Sequence, residues 1–168
     1  MTPCVGDTGP FLHLHEIDHR FLLRLFPRVE IPPAVAAELA SFGLSPGELA
    51  VEGLTVPVRI PSSQALIAIA AQADEPRLQE ADRAVLALAL DVQARTVLTD
   101  DLDMREACRR LGITPVGTVG LLFRGFATNQ LDRAGLERAI RLLFDESTLH
   151  LSPAFRSYIL DRLRAIPG

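Results

Sequence analysis

Lysine is absent from the sequence, and all 17 of its basic residues are arginines. Acidic residues number 21, which gives a formal net charge of −4 at pH 7. Taken alone, this negative balance argues against a surface that coats nucleic acid through general charge attraction. Cysteine is scarce as well, because only Cys4 and Cys108 are present and their spacing is not that of a metal site. Two isolated cysteines predict reduced thiols in a cytoplasm.

Long apolar runs are also missing. Although 48 % of the residues are hydrophobic, no run approaches the roughly 20 apolar residues that a membrane-spanning helix needs. The first ten residues, MTPCVGDTGP, contain neither the basic segment nor the apolar segment of a secretory signal. We therefore expect a cytoplasmic protein that does not bind a membrane, with enough residues for one domain and a substantial core.

What the sequence does contain is a regular alternation of short strands and helices. The predicted strands are 3–6, 28–31, 55–60, 95–99 and 113–116, with 55–60 at an edge because it contains a proline. The predicted helices are 7–17, 17–26, 32–42, 62–73, 80–92, 101–112, 117–128, 132–145 and 153–166. This order predicts a three-layer α/β/α fold with a central parallel sheet and right-handed crossovers. Because the strands stop after residue 116, we expect an α/β domain over 1–128 and a helical extension over 129–168 packed on it.

Acidic residues follow two of the predicted strands directly. Asp7 follows the first strand, and Asp100 and Asp101 follow the strand 95–99. The carboxyl ends of parallel strands meet at one edge of a sheet, where functional groups gather. Asp7 and the pair of aspartates should therefore lie close together if their strands are neighbours. One aspartate of the pair should cap the next helix, which would leave the other free for chemistry.

Two acids on helices are candidates for the same place. Glu38 shares a helix face with apolar neighbours, and Asp82 lies in the first turn of the most apolar helix. Each also has a plainer explanation, since Glu38 can be a solvated flank and Asp82 can complement the helix dipole. Asp7 can likewise be a simple cap. Taken together, clustered carboxylates raise one another's pKa unless a cation neutralises them, and Mg²⁺ is a hard ion that prefers oxygen ligands.

At these residues the sequence resembles the PIN-domain nucleases. The matching segments occur in the family's order: DTGP, IPPAVAAEL, LQEADRAVLALAL, TVLTDDLDMREACRRLG and ITPVGTVGLLFRG. Together with the tail, they resemble a branch that has a C-terminal helical extension and is akin to the VapC-type toxins of toxin–antitoxin modules. The resemblance covers nearly the whole chain. It implies Mg²⁺- or Mn²⁺-dependent hydrolysis of phosphodiester bonds, usually in single-stranded RNA, with an antitoxin protein and a second copy of the chain as candidate partners.

The resemblance also implies the site residues. By position, the four acids of the family match Asp7, Glu38, Asp82 and Asp101, and Asp100 is an alternative to Asp101. Three aspartates would hold the metal, and Glu38 would complete the site or orient a water molecule. Thr8 and Thr99 would support the ligands through hydrogen bonds, and flanking phosphates would contact arginines of the following helix. Those arginines are Arg105, Arg109 and Arg110.

Three other interpretations compete with a PIN nuclease. The segment VLTDD resembles the first strand of a response-regulator phosphoacceptor domain, but a chain without lysine cannot supply that domain's phosphate-binding lysine. His15 and His19, with Glu16 and Asp18 beside them, have a spacing that suits zinc, although only His150 offers a distant third ligand. Finally, a first strand confined between Pro3 and Gly6 is shorter than usual in the family. A PIN fold that is an inactive scaffold, docking partners through loop 43–54 and helices 129–166, is the non-enzymatic alternative.

Overall fold

The computed structural model describes residues 3–72 and 77–166. Four short strands form one sheet, in which every neighbouring pair is parallel, in the order β2-β1-β3-β4. The strands are β1 (Cys4–Gly6), β2 (Val29–Glu30), β3 (Thr96–Leu98) and β4 (Thr114–Val116). Helices lie on both faces of this sheet, which confirms the predicted three-layer α/β/α architecture.

Helices dominate the described part of the chain. They are α1 (Thr8–Glu16), a 3-10 helix (Arg20–Leu25), α2 (Pro33–Ser41), α3 (Pro46–Leu49), α4 (Ser63–Gln72), α5 (Glu80–Asp91), α6 (Leu102–Arg110), α7 (Thr118–Ala127), α8 (Arg133–Asp145) and α9 (Pro153–Arg164). Two of them differ from the prediction. The helix expected over 17–26 is a 3-10 helix, which follows a break where Asp18 has a positive φ of 58°. Loop 43–54 contains α3, because Ser45 and Glu48 form a capping box.

The strand predicted over 55–60 is wrong. This segment makes a single parallel bridge, between Ile31 and Val58, and no ladder. The carbonyl oxygen of Pro57 accepts a hydrogen bond from Ile31 N at 3.2 Å, but as a proline it has no N–H to donate. The predicted strand face of Val56, Val58 and Ile60 is not buried as a whole, since Val56 is buried while Val58 and Ile60 are exposed. The alternating pattern therefore predicted neither a buried face nor membership of the sheet.

The first strand is short, yet it occupies the centre of the sheet. Cys4 and Val5 are buried, and β1 pairs with β2 on one side and with β3 on the other. Gly6 ends the strand where the ring of Phe11 packs closely, because a Cβ at this position would lie 2.2 Å from Phe11 Cε2. Glycine is thus required for helix α1 to turn back against the strand. The departure from the family's usual hydrophobic run leaves the end of β1, and hence Asp7, in place.

The tail belongs to the same hydrophobic core as the sheet. Helix α8 packs against α7, and its apolar stripe is fully buried: Leu136, Ala139, Ile140 and Leu143. That stripe is intramolecular core and offers no docking surface. Helix α9 differs, because Ile159 is buried while Phe155 at its start is exposed. Across the described ranges, we find no helix with the length and apolar character needed to cross a membrane.

Candidate active site

The site forms where the order of the sheet reverses. From β1 the chain moves outward to β2, and it then returns to the other side of β1 to form β3 and β4. The boundary between β1 and β3 is therefore a topological switch point, where open α/β sheets leave a crevice at the carboxyl ends of their strands. Asp7 follows β1 at this boundary, and its N–H donates to Leu98 O at 2.9 Å. Asp100 and Asp101 follow β3 at the same edge.

All five predicted acids line one cleft at this edge, of about 420 Å³, which we call the acidic cleft. Its acids come from four places in the chain: Asp7, Glu38, Asp82, and the adjacent Asp100 and Asp101. Helix α2 delivers Glu38 and α5 delivers Asp82, and these two helices contact each other. The structure thus brings together in one cleft every acidic residue that was predicted for this edge of the sheet.

Asp7 is the most deeply buried of these acids, with 9 % of its surface exposed. Its Oδ1 accepts a hydrogen bond from Thr8 N at 2.7 Å, and its Oδ2 accepts one from Thr99 Oγ1 at 2.9 Å. The pKa of Asp7 is raised from 3.8 to about 6, with burial as the largest cause; the two hydrogen bonds lower it, and the negative charges of Asp82 and Glu38 raise it. Asp7 therefore caps helix α1 and is also repelled by the negative charges of neighbouring carboxylates.

Glu38 and Asp82 are also fixed by hydrogen bonds. The hydroxyl of Thr8 donates to Glu38 Oε2, so Thr8 contacts two acids of the cleft, one through its N–H and one through its hydroxyl. Asp82 accepts a hydrogen bond from Gln79 N at 2.7 Å in the capping box of α5. Burial raises the pKa of Asp82, and the charges of Asp101 and Glu38 add to this rise. Asp82 thus combines the plain role of a cap with membership of the acidic cluster.

The two adjacent aspartates have different surroundings. Asp101 is exposed and caps α6, where its Oδ1 accepts from Met104 N at 2.8 Å. Asp100 is not free, contrary to the expectation for the non-capping member of the pair. Thr118 donates to both of its oxygens, through N at 2.7 Å and Oγ1 at 2.6 Å, and Nδ1 of His13 lies 2.8 Å from Oδ2. Asp100 therefore anchors the β3 end to α7 and α1, and the exposed Asp101 is the better candidate for a ligand.

His13, Thr118 and Gly117 were missed by sequence reasoning. His13 is 8 % exposed and lines the acidic cleft. A Cβ on Gly117 would lie 2.7 Å from Asp100 Oδ1, so only glycine lets α7 begin this close to Asp100. Only a weak sequence signal could have predicted His13. Gly9 and His13 are four residues apart, so they lie on one face of the helix that starts after Asp7.

The zinc interpretation fails on the geometry. Glu16 accepts hydrogen bonds from Thr148 N at 2.9 Å and Thr148 Oγ1 at 2.7 Å, which engages both of its oxygens. Nδ1 of His19 lies 2.5 Å from Ile17 O, so this nitrogen serves the local backbone. His15 is exposed and lines no part of the acidic cleft.

The arginines proposed for phosphate contact divide into different roles. Arg105 donates to Thr99 O at 3.3 Å and lies beside the end of β3. Arg109 is exposed and pairs with Glu106 at 3.5 Å on its own helix. An arginine that was not predicted, Arg77, lines the acidic cleft and pairs with Asp103 at 3.5 Å.

The cleft fits a hard dication in its chemistry. Its acids offer oxygen donors, and the raised pKa of Asp7 comes mainly from burial and in smaller part from the charges of Asp82 and Glu38, a repulsion that a dication would relieve. In residues 3–72 and 77–166, no three His, Cys, Asp or Glu side chains are already close enough together to form a metal site. The residues present therefore suit Mg²⁺ or Mn²⁺ by donor type and charge, and ion binding would require them to move closer together.

The structure thus shows an α/β domain with an acid-lined cleft at the switch point of its parallel sheet. A family model described as a PIN domain matches residues 3–165, so the chain belongs to a PIN-domain family. The resemblance of the sequence to PIN-domain nucleases is confirmed by this match, which also includes the helical tail. PIN domains are generally nucleases, which places the chain in a class that hydrolyses nucleic acids. The comparison with curated proteins finds no match.

Proposed function

We propose that the chain is a Mg²⁺- or Mn²⁺-dependent endoribonuclease that hydrolyses phosphodiester bonds of single-stranded RNA in the acidic cleft. The observation that carries this proposal is the convergence of Asp7, Glu38, Asp82 and Asp101 at the switch point of the sheet. Four carboxylates from separate elements of the chain cost stability when they share one cleft, unless they bind a cation.

The proposed ligands are Asp7, Asp82 and Asp101, with Asp100 as a supporting residue. When bound, the ion supplies Lewis acidity toward the phosphate and lowers the pKa of water next to it. The chain's own residues set the geometry. Thr99 holds Asp7 through its hydroxyl, and the same hydroxyl accepts from Asp101 N at 3.2 Å, so one side chain positions two ligands.

Glu38 is the proposed acceptor for a proton of the attacking water. Thr8 fixes the carboxylate of Glu38 at the cleft, and half-burial keeps it next to Asp7. General base catalysis requires a carboxylate within hydrogen-bond reach of the water that it activates. Arg77, at the opening of the cleft, can hold a phosphate next to the scissile one if it exchanges Asp103 for the RNA.

We also propose the role of the toxin in a toxin–antitoxin module, with an antitoxin protein as its inhibitor and a homodimer as its assembly. The sequence resemblance of the segment 113–125 and the tail to the VapC-type branch supports this role. The division into an α/β domain over 1–128 and an extension over 129–168 is likewise a proposal.

The direct test is a cleavage assay on the intact chain. Labelled single-stranded RNA, the corresponding duplex and single-stranded DNA are incubated with Mg²⁺, with Mn²⁺ or with EDTA. We expect cleavage of the single-stranded RNA with either ion and none in EDTA. Cleavage that persists in EDTA would rule out the metal-dependent mechanism, and preferential cleavage of DNA would rule out the substrate.

Thr99→Val should lower the affinity for Mn²⁺ by roughly 10- to 100-fold, the usual effect of losing a hydrogen bond that orients a metal ligand. Valine keeps the shape of this fully buried side chain but removes the hydroxyl that contacts Asp7 and Asp101. Thr99→Ser should retain most of the affinity. Thr128→Val is the matched control, because the Thr128 hydroxyl bonds only to carbonyls at the end of α7. Mn²⁺ titration by calorimetry measures all three, and equal affinities for Thr99→Val and the wild type would contradict the assignment.

A further inference from the structure

A second cavity, of about 730 Å³, lies beside the acidic cleft. We call it the aromatic cavity; it is bounded by the start of α6, by α7, by the loop after α8 and by α9. Asp100, Leu149 and His150 line both cavities, so the two are adjacent. Its volume is in the range of sites that bind small organic ligands. The predicted function assigned nothing to this space.

The aromatic cavity contains an exposed pair of stacked rings. Phe155 and Tyr158, three residues apart on α9, have ring centroids 5.9 Å apart and planes inclined by 11°. Phe155 is 41 % exposed and Tyr158 is 55 % exposed, although most large apolar side chains of the chain are buried. Two parallel rings left open to solvent form a platform on which a further flat group can stack.

Three arginines complete the cavity. Arg162 lies with its guanidinium carbon 4.5 Å from the centroid of the Phe123 ring, and Arg124 lies 5.9 Å from that of Phe26. Arg105 is tied to the carbonyl of Thr99. In the part of the chain that the structure describes, none of these arginines is within ion-pair distance of a carboxylate. Their charges are therefore available to an anionic ligand.

The two cavities suit different groups of an RNA chain. The acidic cleft suits a metal and the scissile phosphate, whereas the aromatic cavity presents three arginines and one carboxylate, Asp100, which is already engaged by Thr118 and His13. Arginine holds phosphate through paired N–H donors, and aromatic rings stack on bases of any sequence.

We propose that the aromatic cavity is a nucleotide subsite, in which an unpaired base of the RNA stacks on Phe155 and Tyr158 while Arg105 and Arg162 hold phosphates that flank the scissile bond. This inference rests on the proposed function and adds a substrate requirement to it. A base within a duplex is stacked on its neighbours and cannot occupy this platform, so the subsite selects single-stranded RNA. Peptide docking in the same space is the competing occupancy.

Binding measured in EDTA tests the subsite without cleavage. The probe is a fluorescently labelled single-stranded hexaribonucleotide, and an oligomer of the same length with abasic residues serves as the comparison. Phe155→Leu and Tyr158→Leu should each weaken binding of the hexamer on the order of 5- to 100-fold, the effect of one lost base stack. Neither variant should change binding of the abasic oligomer. Leucine is a good helix former, and both positions are exposed, so α9 should be retained.

Matched variants exist elsewhere in the chain. Phe42→Leu removes an exposed ring outside both cavities, and Arg164→Gln removes an arginine of α9 that pairs with Asp161. We expect neither to affect binding. Arg162→Gln should lower the slope of log K against log salt by about 0.7, as expected for one lost phosphate contact on a single strand.

The outcomes separate the two proposals. If metal-dependent cleavage fails but Phe155→Leu and Tyr158→Leu still weaken RNA binding, the subsite stands without the proposed reaction. If RNA is cleaved and both variants bind the hexamer as the wild type does, the subsite is overturned and the cavity is left to a protein partner. Equal losses for the hexamer and the abasic oligomer would also overturn base stacking.

Discussion

Asp7→Asn should reduce metal-dependent RNA cleavage by about three orders of magnitude, equivalent to about 4 kcal/mol of transition-state stabilisation. Asparagine keeps an oxygen that can accept from Thr8 N, so the start of α1 should be preserved. It lacks the negative charge that would bind a dication. It also lacks the second carboxylate oxygen, which in the wild type accepts a hydrogen bond from Thr99.

The measurement is single-turnover cleavage of labelled RNA with saturating Mn²⁺. Asp82→Asn and Asp101→Asn should lose activity to a similar degree. Asp132→Asn is the control, since Asp132 caps α8 through Gly135 N at 2.6 Å and lies outside the acidic cleft, so it tests loss of a capping carboxylate alone. When these substitutions are combined, the fold-losses of activity should not multiply, because residues that hold one ion act as a unit. Full activity in a variant with Asp7→Asn and Asp82→Asn combined would refute the metal site.

The second large effect is on stability without metal. The pKa of Asp7 rises from 3.8 to about 6 on folding, mainly through burial. The folded state therefore holds this proton more tightly than the unfolded state, and the free energy of unfolding falls as pH rises from about 4 to about 6. The full loss is about 3 kcal/mol and persists above pH 6. This sign is opposite to that of a carboxylate stabilised by an ion pair.

In EDTA, Asp7→Asn should accordingly be more stable than the wild type at pH 7.5, by up to about 3 kcal/mol, and nearly equal to it at pH 4. Urea denaturation at several pH values in this range measures the free energy of unfolding of both proteins. In the difference between them, the contributions of the other titrating groups largely cancel.

Asp91→Asn should have the opposite effect and destabilise the protein at neutral pH, because hydrogen bonds from Ser62 lower the pKa of Asp91 and this stabilisation is present at neutral pH. Saturating Mn²⁺ should stabilise the wild type, by about 2.7 kcal/mol at 100 times Kd, and not the Asp7 variant. A wild-type chain that gains stability relative to Asp7→Asn between pH 4 and 6 would contradict the burial of this charge.

Some acids of the cleft could be predicted because they lie at positions that a simple rule marks. Asp7 and Asp101 follow strands of a parallel sheet, and that rule needs no knowledge of side-chain contacts. Glu38 and Asp82 depended on the family resemblance, since a carboxylate on an amphipathic helix has an ordinary explanation in solvent. The structure then showed that Asp82 is both a cap and a member of the cluster.

The contacts of Asp100 could not be predicted in the same way. They join His13 and Thr118 to Asp100 across 87 and 18 residues of sequence, and they depend on the register of three strands. In that register Gly6 pairs with Leu98 and Leu98 pairs with Val116, so the residues after these strand ends become neighbours. The strand predicted at 55–60 was wrong for a different reason. An alternating pattern does not identify a hydrogen-bonded neighbour, and of Val56, Val58 and Ile60 only Val56 is buried.

The central position of β1 has a consequence for synthesis of the protein. The ribosome produces β1 first, yet one of its two neighbours in the sheet, β3, follows only at Thr96–Leu98. The acidic cleft therefore cannot assemble until the ribosome has synthesised the chain through β3, which brings Thr99 to Asp7, and through the start of α7, where Thr118 holds Asp100. A chain truncated before α7 would lack the assembled cleft.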